Sequence, residues 1–116
     1  MQLTLNDPQI WVCNQPVDFR RSIDGLCAIV VGQLGQRPQD GIYIFYNRTR
    51  DRVKVLGWHR NGFVLIYKRL EQGRFHAANQ SQGTVNVDER QLTWLLAGLD
   101  WPSMSNWSEL EYDEFT

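Results

Sequence analysis

The sequence predicts a single α+β domain, in which a mainly antiparallel sheet, a central three-stranded meander plus one or two short strands, packs against two helices. Two patterns carry that reading. Between Ile42 and Lys68, three runs rich in β-branched and aromatic residues are separated by short polar turns, as in consecutive hairpins. On either side lies a segment whose apolar residues recur at helical spacing. The 116 residues, 42% hydrophobic and 22% charged, match one soluble domain built around one core.

Ile10 to Asn14, an apolar run between Pro8 and Pro16, reads as the first strand. From Phe19 onward, Ile23, Leu26, Cys27, Val30 and Leu34 share one helical face, and Asp18 stands where a helix cap is expected. Gly25 inside this helix costs about 1 kcal/mol relative to Ala and points to a close crossing by another backbone. Gly35 and Pro38 end the helix. Strands follow at Ile42 to Tyr46, Arg52 to Trp58 and Phe63 to Lys68, joined by turns at Asn47 to Asp51 and His59 to Gly62. In the second of these, Arg52 and Lys54 share one face and Val53 and Val55 the other, which predicts a wet, basic side. In the third, Phe63, Leu65 and Tyr67 alternate with Val64 and Ile66, so both faces are apolar and a central place in the sheet is expected.

After a turn at Glu71 to Gly73 and a polar loop from Ala77 to Gly83, Thr84 to Val87 forms a short strand. Asp88 then caps a second helix with Leu92, Leu95, Leu96 and Leu99 on one face, closed by Gly98 and Pro102. The domain is expected to span residues 1–102. Residues 103–116 read as an acidic, flexible tail, pinned locally by Trp107, Tyr112 and Phe115.

Several function classes fall away. No apolar run approaches the roughly 20 residues of a membrane-spanning helix, and Met1 to Pro8 lacks the basic and apolar parts of a signal peptide, so a cytoplasmic location without membrane contact is expected. Cys13 and Cys27 sit among apolar neighbours and read as inert, reduced thiols. Together with His59 and His76 they form no metal-ligand spacing, and neither lies at a turn or helix start that would activate it. A DNA-cutting enzyme needs about three carboxylates to hold a metal pair. Here Asp18 and Asp88 read as caps, Asp40 and Asp51 as turn residues, and Asp100 as the residue after a helix end. No glycine-rich phosphate loop occurs. The expectation is a protein that is not an enzyme and takes no metal or cofactor.

Charge supplies the candidate site. Residues 20–74 hold eleven basic side chains against four acids, whereas from Asp88 onward seven acids face only Arg90. A basic body with an acidic tail predicts an anionic partner, or a tail that folds back over the basic surface. Arg48, Arg50, Arg52 and Lys54 lie on one hairpin tip and the strand leaving it, spaced as phosphate contacts along an exposed ribbon. Arg20 and Arg21, placed in the first turn of the first helix, add its backbone N–H groups and dipole to the same site. Arg60, Lys68 and Arg69 extend the set. An alternative is a solvated hairpin whose charges only protect a sheet edge. The aromatic residues of the strands are core or stacking surfaces; Trp58 in its turn and Trp94 off the leucine stripe are candidate partner-binding residues.

Three stretches, Val17 to Val30 (VDFRRSIDGLCAIV), Arg50 to Phe75 (RDRVKVLGWHRNGFVLIYKRLEQGRF) and Gln91 to Trp101 (QLTWLLAGLDW), resemble in order and spacing the accessory proteins of the sixty-sixth insertion-sequence family. The resemblance covers about residues 8–102. It implies a helper in DNA transposition, encoded beside a separate transposase; taken with the basic charge, the expected partners are that transposase and the DNA of the element ends. It brings no catalytic residues. Where the family usually has two tryptophans followed by Asp-Gly, this chain has Gly57, Trp58, His59 and Arg60, so no role for that hairpin tip is carried over. Besides binding DNA backbone, two other modes are open: a scaffold for the transposase without DNA contact, and an RNA-binding regulator of the element.

Overall fold

The structure, a computed structural model, describes residues 8–78 and 83–104. Five strands form one sheet: β1 (Gln9–Cys13), β2 (Gly41–Tyr46), β3 (Arg52–His59), β4 (Gly62–Arg69) and β5 (Thr84–Val87), in the order β4-β3-β2-β1-β5. Helix α1 (Ile23–Gly32) connects β1 to β2, and α2 (Glu89–Leu96) follows β5. A short 3-10 turn at Pro38–Asp40 and a helical turn at 101–104 complete the described elements.

The sheet is mostly antiparallel, as the sequence predicts, with one exception. β1 and β2 run parallel, Gln9 opposite Gly41 through Cys13 opposite Phe45, because the chain crosses over through α1. Period-two alternation then divides the core into two layers. On one face Cys13, Tyr43, Phe45 and Leu56 pack against Leu26, Ile29 and Val30 of α1. On the other, Ile10, Val12, Ile44, Tyr46, Val53 and Val55 pack against Leu95 of α2, Phe75 and Trp101. β2, in the middle of the order, is buried on both faces.

Four expectations are corrected. The central-strand reading of β4 is corrected: among the described residues β4 is an edge, and its Val64, Ile66 and Tyr67 are exposed. An all-apolar strand reports its composition and not the number of strands beside it. Helix α1 starts at Ile23 with Ser22 in the cap position, four residues later than expected from Phe19. The reason is Asp18. Its carboxylate takes the backbone N–H and guanidinium of Arg20, and its carbonyl accepts from the Arg21 N–H, which closes a separate turn before the helix. Gly25 faces no crossing backbone; a Cβ there would press on the Arg21 side chain, at 2.9 Å from its Cβ. Lastly, the wet face of β3 is dry at Lys54, which is buried.

The Asp88 cap is present in full. Its side chain accepts from the Gln91 N–H while the Gln91 side chain accepts from the Asp88 N–H, a reciprocal capping box. The acidic tail of the sequence reading lies outside the described residues, apart from the end of the 101–104 turn.

Candidate functional site

Strand direction decides which basic residues meet. Because β1 and β2 are parallel and β3 runs back from β2, one end of the sheet collects the ends of β1, β2 and β4 and the starts of β3, β5 and α1. The β2–β3 turn at that end carries Arg48 and Arg50 and leads into Arg52. Arg69 pairs directly with Arg52 across the ladder. The segment before α1 brings Arg20 and Arg21, anchored because Val17 N–H donates to the Tyr46 carbonyl at 3.0 Å. Pro16, Val17, Asp18, Phe19 and Arg20 line an open depression whose opposite wall is Asn47 and Arg48.

The turn itself is rigidly built. Asn47 accepts the Arg52 N–H at 3.0 Å and donates to the Asp51 carboxylate at 2.7 Å, and Thr49 donates to the same carboxylate at 2.8 Å. These donors hold Asp51 below the usual carboxylate range. Arg50 sits in the left-handed region at φ 62°, and its carbonyl accepts the Phe75 N–H at 2.6 Å. That last bond brings in Arg74, which the sequence counted among the basic residues but did not place in the site. No local pattern connects residue 74 to residue 50; only the long-range backbone contact does.

Three predicted residues go elsewhere or do something else. Lys54 is 7% exposed; its Nζ donates to the carbonyls of Phe19 and Arg21 at 2.9 and 2.7 Å, and lies 4.8 and 5.9 Å from the ring centres of Phe19 and Tyr67. It fastens the segment that carries Arg20 and Arg21 and offers nothing to an outside anion. Lys68 points to the α2 side of the sheet, where it donates to the Leu96 carbonyl at 2.6 Å. Arg60 occupies the β3–β4 turn at the far end of an eight-residue strand, about 25 Å away at the usual rise per residue.

The carboxylates at the basic end are largely engaged. Asp18 is gripped by Arg20 at 2.6 Å, which holds its carboxyl well below the ordinary range, and Glu71 lies 3.0 Å from Arg69. Arg21, Arg48, Arg50, Arg52 and Arg74 form no ion pair with a described carboxylate. The positive end of the α1 dipole points the same way. The arrangement gathers several cations, exposed except for the half-buried Arg52, beside the start of α1, chemistry suited to successive phosphate oxygens.

The two candidate partner residues separate. Trp58 is 40% exposed, with its ring edge-on to Phe63, while Trp94 packs against the α2 core with Arg90 over its face. Both cysteines are free, and burial raises both thiols above their ordinary range. Among the described residues no three His, Cys, Asp or Glu side chains come together as a metal site would require, and no helix is long and apolar enough to cross a membrane.

Comparison with known proteins adds a family. A family model described as IS66 Orf2 like protein matches residues 8–106. Two uncharacterized Sinorhizobium fredii proteins are similar over 94 residues: y4jC at 37% identity, covering 80% of each chain, and y4hO at 31%, covering 80% of this chain and 82% of its own. No solved structure matches.

Proposed function

Since the chain belongs to the IS66 Orf2 like family of insertion-sequence proteins, we propose that it is a non-catalytic accessory protein of transposition that grips the DNA backbone with the basic end of its sheet. The observation that carries this reading is convergence. Arg20, Arg21, Arg48, Arg50, Arg52 and Arg69, far apart in sequence, are drawn to one end of the fold beside the start of α1, and Arg74 joins them. Most of them form no ion pair with a carboxylate of the described residues. Arginines on an exposed rim position a duplex without reading its bases, so sequence choice and chemistry fall to the transposase.

An anisotropy titration of the full chain with duplex DNA from the element ends tests the proposal. Binding should be measurable at low salt and weaken steeply as salt rises, because neutralised phosphates release counterions. Absence of binding at low salt would sink it. Direct docking on the transposase is the second reading, favoured by the exposed Trp58 and the apolar surface beside it, where Ile42, Val55, Val64 and Ile66 line a shallow groove. Co-purification that survives nuclease treatment would support that reading.

A further inference from the structure

Which backbone groups of β4 face outward follows from one bond. The Leu70 N–H donates to the Asp51 carbonyl at 2.8 Å, one step past Arg69 opposite Arg52. Hydrogen-bonded and non-bonded pairs alternate along an antiparallel ladder, so Lys68, Ile66, Val64 and Gly62 direct their backbone groups to β3. The far side of β3 agrees, because the Arg52 carbonyl accepts from the Asn47 N–H of the β2–β3 turn. The N–H and C=O groups of Phe63, Leu65 and Tyr67 therefore point away from the sheet, where no strand lies beside them among the described residues. The usual protections of an edge are missing there: Gly62 to Tyr67 contains no proline or charge, and the ladder to β3 has no bulge.

We infer that this edge pairs with the same edge of a second copy, β4 antiparallel to β4 about a two-fold axis through Leu65. Such an axis, normal to the sheet, returns each face to its own side, so only residues that share a face can meet. Centred on Leu65, it uses every outward group of the uncharged stretch. Leu65 exchanges its N–H and C=O bonds with the partner's Leu65, and Phe63 exchanges with the partner's Tyr67. On the other face Val64 lies beside the partner's Ile66. These two side chains are 45% and 55% exposed in the single chain and line the groove with Ile42 and Val55, so pairing joins two apolar grooves across the axis.

Charge selects both the register and the occupant. An edge that pairs with its own copy meets again whatever charge it carries, and like charges placed opposite one another are destabilising. Gly62 to Tyr67 carries none. With the axis at Leu65, Lys68 lies beside the partner's Gly62, Arg69 falls past the paired stretch, and no cation lies opposite another within it. Centring on Ile66 instead sets Lys68 beside the partner's Val64 and Arg69 beside the partner's Phe63; centring on Val64 leaves Ile66 opposite the partner's Gly62. The chosen register alone matches apolar with apolar on both faces. Arg52 and Arg69 stay outside it, and the basic ends of the two chains lie at opposite ends of the paired edge.

This inference stands apart from the nucleic-acid reading, and its test involves no DNA. Sedimentation of the full chain across a wide concentration range should show a particle of two chains that dissociates on dilution. Amide exchange followed by NMR should slow about tenfold at the Phe63, Leu65 and Tyr67 N–H groups as the protein is concentrated, with β2 amides unchanged. Because Val64 and Ile66 are exposed, charges there are compatible with the fold. Val64→Lys/Ile66→Lys and Val64→Glu/Ile66→Glu variants should each sediment as one chain, and their one-to-one mixture should regain the two-chain particle. Circular dichroism shows whether each variant is folded; if one is not, the exchange measurement on the parent decides. A parent that sediments as one chain at every concentration would overturn the proposal, as would a two-chain particle that persists in both variants, since association would then belong to another surface. Capture of the edge by the transposase in place of a second copy would overturn it as well.

Discussion

Lys54 shows why residue type and strand alternation do not by themselves locate a functional cation. Its ammonium replaces water with two carbonyls and two aromatic faces, so its contribution is to stability. A hydrogen bond to a charged group contributes about 1.5–3 kcal/mol, and removing the donor also strands two acceptors. Lys54→Met is therefore expected to lower the unfolding free energy by about 2–3 kcal/mol in urea melts and to loosen the segment holding Arg20 and Arg21. Asp18, on that segment, has a pH signature. Arg20 depresses its folded pKa, so its contribution is complete above the unfolded carboxylate value near ~3.9 and fades as pH falls through the lower folded value. An acid titration by NMR should show the Asp18 carboxyl and the Arg20 Nε–H signals changing together, below the range of a free aspartate. A midpoint at the free value would mean the ion pair is not maintained in solution.

At the level of elements, the Asp88 capping box satisfies backbone groups that the start of α2 leaves open. Asp88→Ala should cost about 1 kcal/mol in denaturant melts, since α2 is only eight residues long and Leu95 is its one fully buried side chain. This cap was legible because both partners lie within four residues. The strands of the meander and β5 were legible for the same reason, each being a local alternation bounded by turn residues. What escaped depended on distant partners. The parallel pairing of β1 with β2 is a contact across some thirty residues, invisible to any local pattern. β4 reads as central because its composition reports apolarity and not neighbours. The face of Arg52 and Lys54 was assigned correctly, but the Phe19 segment that dries it could not be read from alternation.

Across the whole molecule, the sheet acts as a ruler that separates two arginine-bearing turns of matched geometry. Arg50 and Arg60 both sit in left-handed backbone, at φ 62° and 58°, one at the basic end and one at the opposite end. A side chain in that conformation costs roughly 1 kcal/mol that glycine avoids, while glycine's freer unfolded chain offsets part of the gain. Arg50→Gly and Arg60→Gly should therefore leave stability within about 1 kcal/mol of the parent, and each removes one positive charge. Their effect on anion binding separates local from global electrostatics. If the basic end makes the phosphate contacts, Arg50→Gly reduces the magnitude of the slope of log K against log salt by about 0.9 for duplex DNA, and Arg60→Gly leaves it unchanged. Equal effects from the two variants would mean that net charge alone attracts the duplex and that the clustering of arginines at one end has no part in binding.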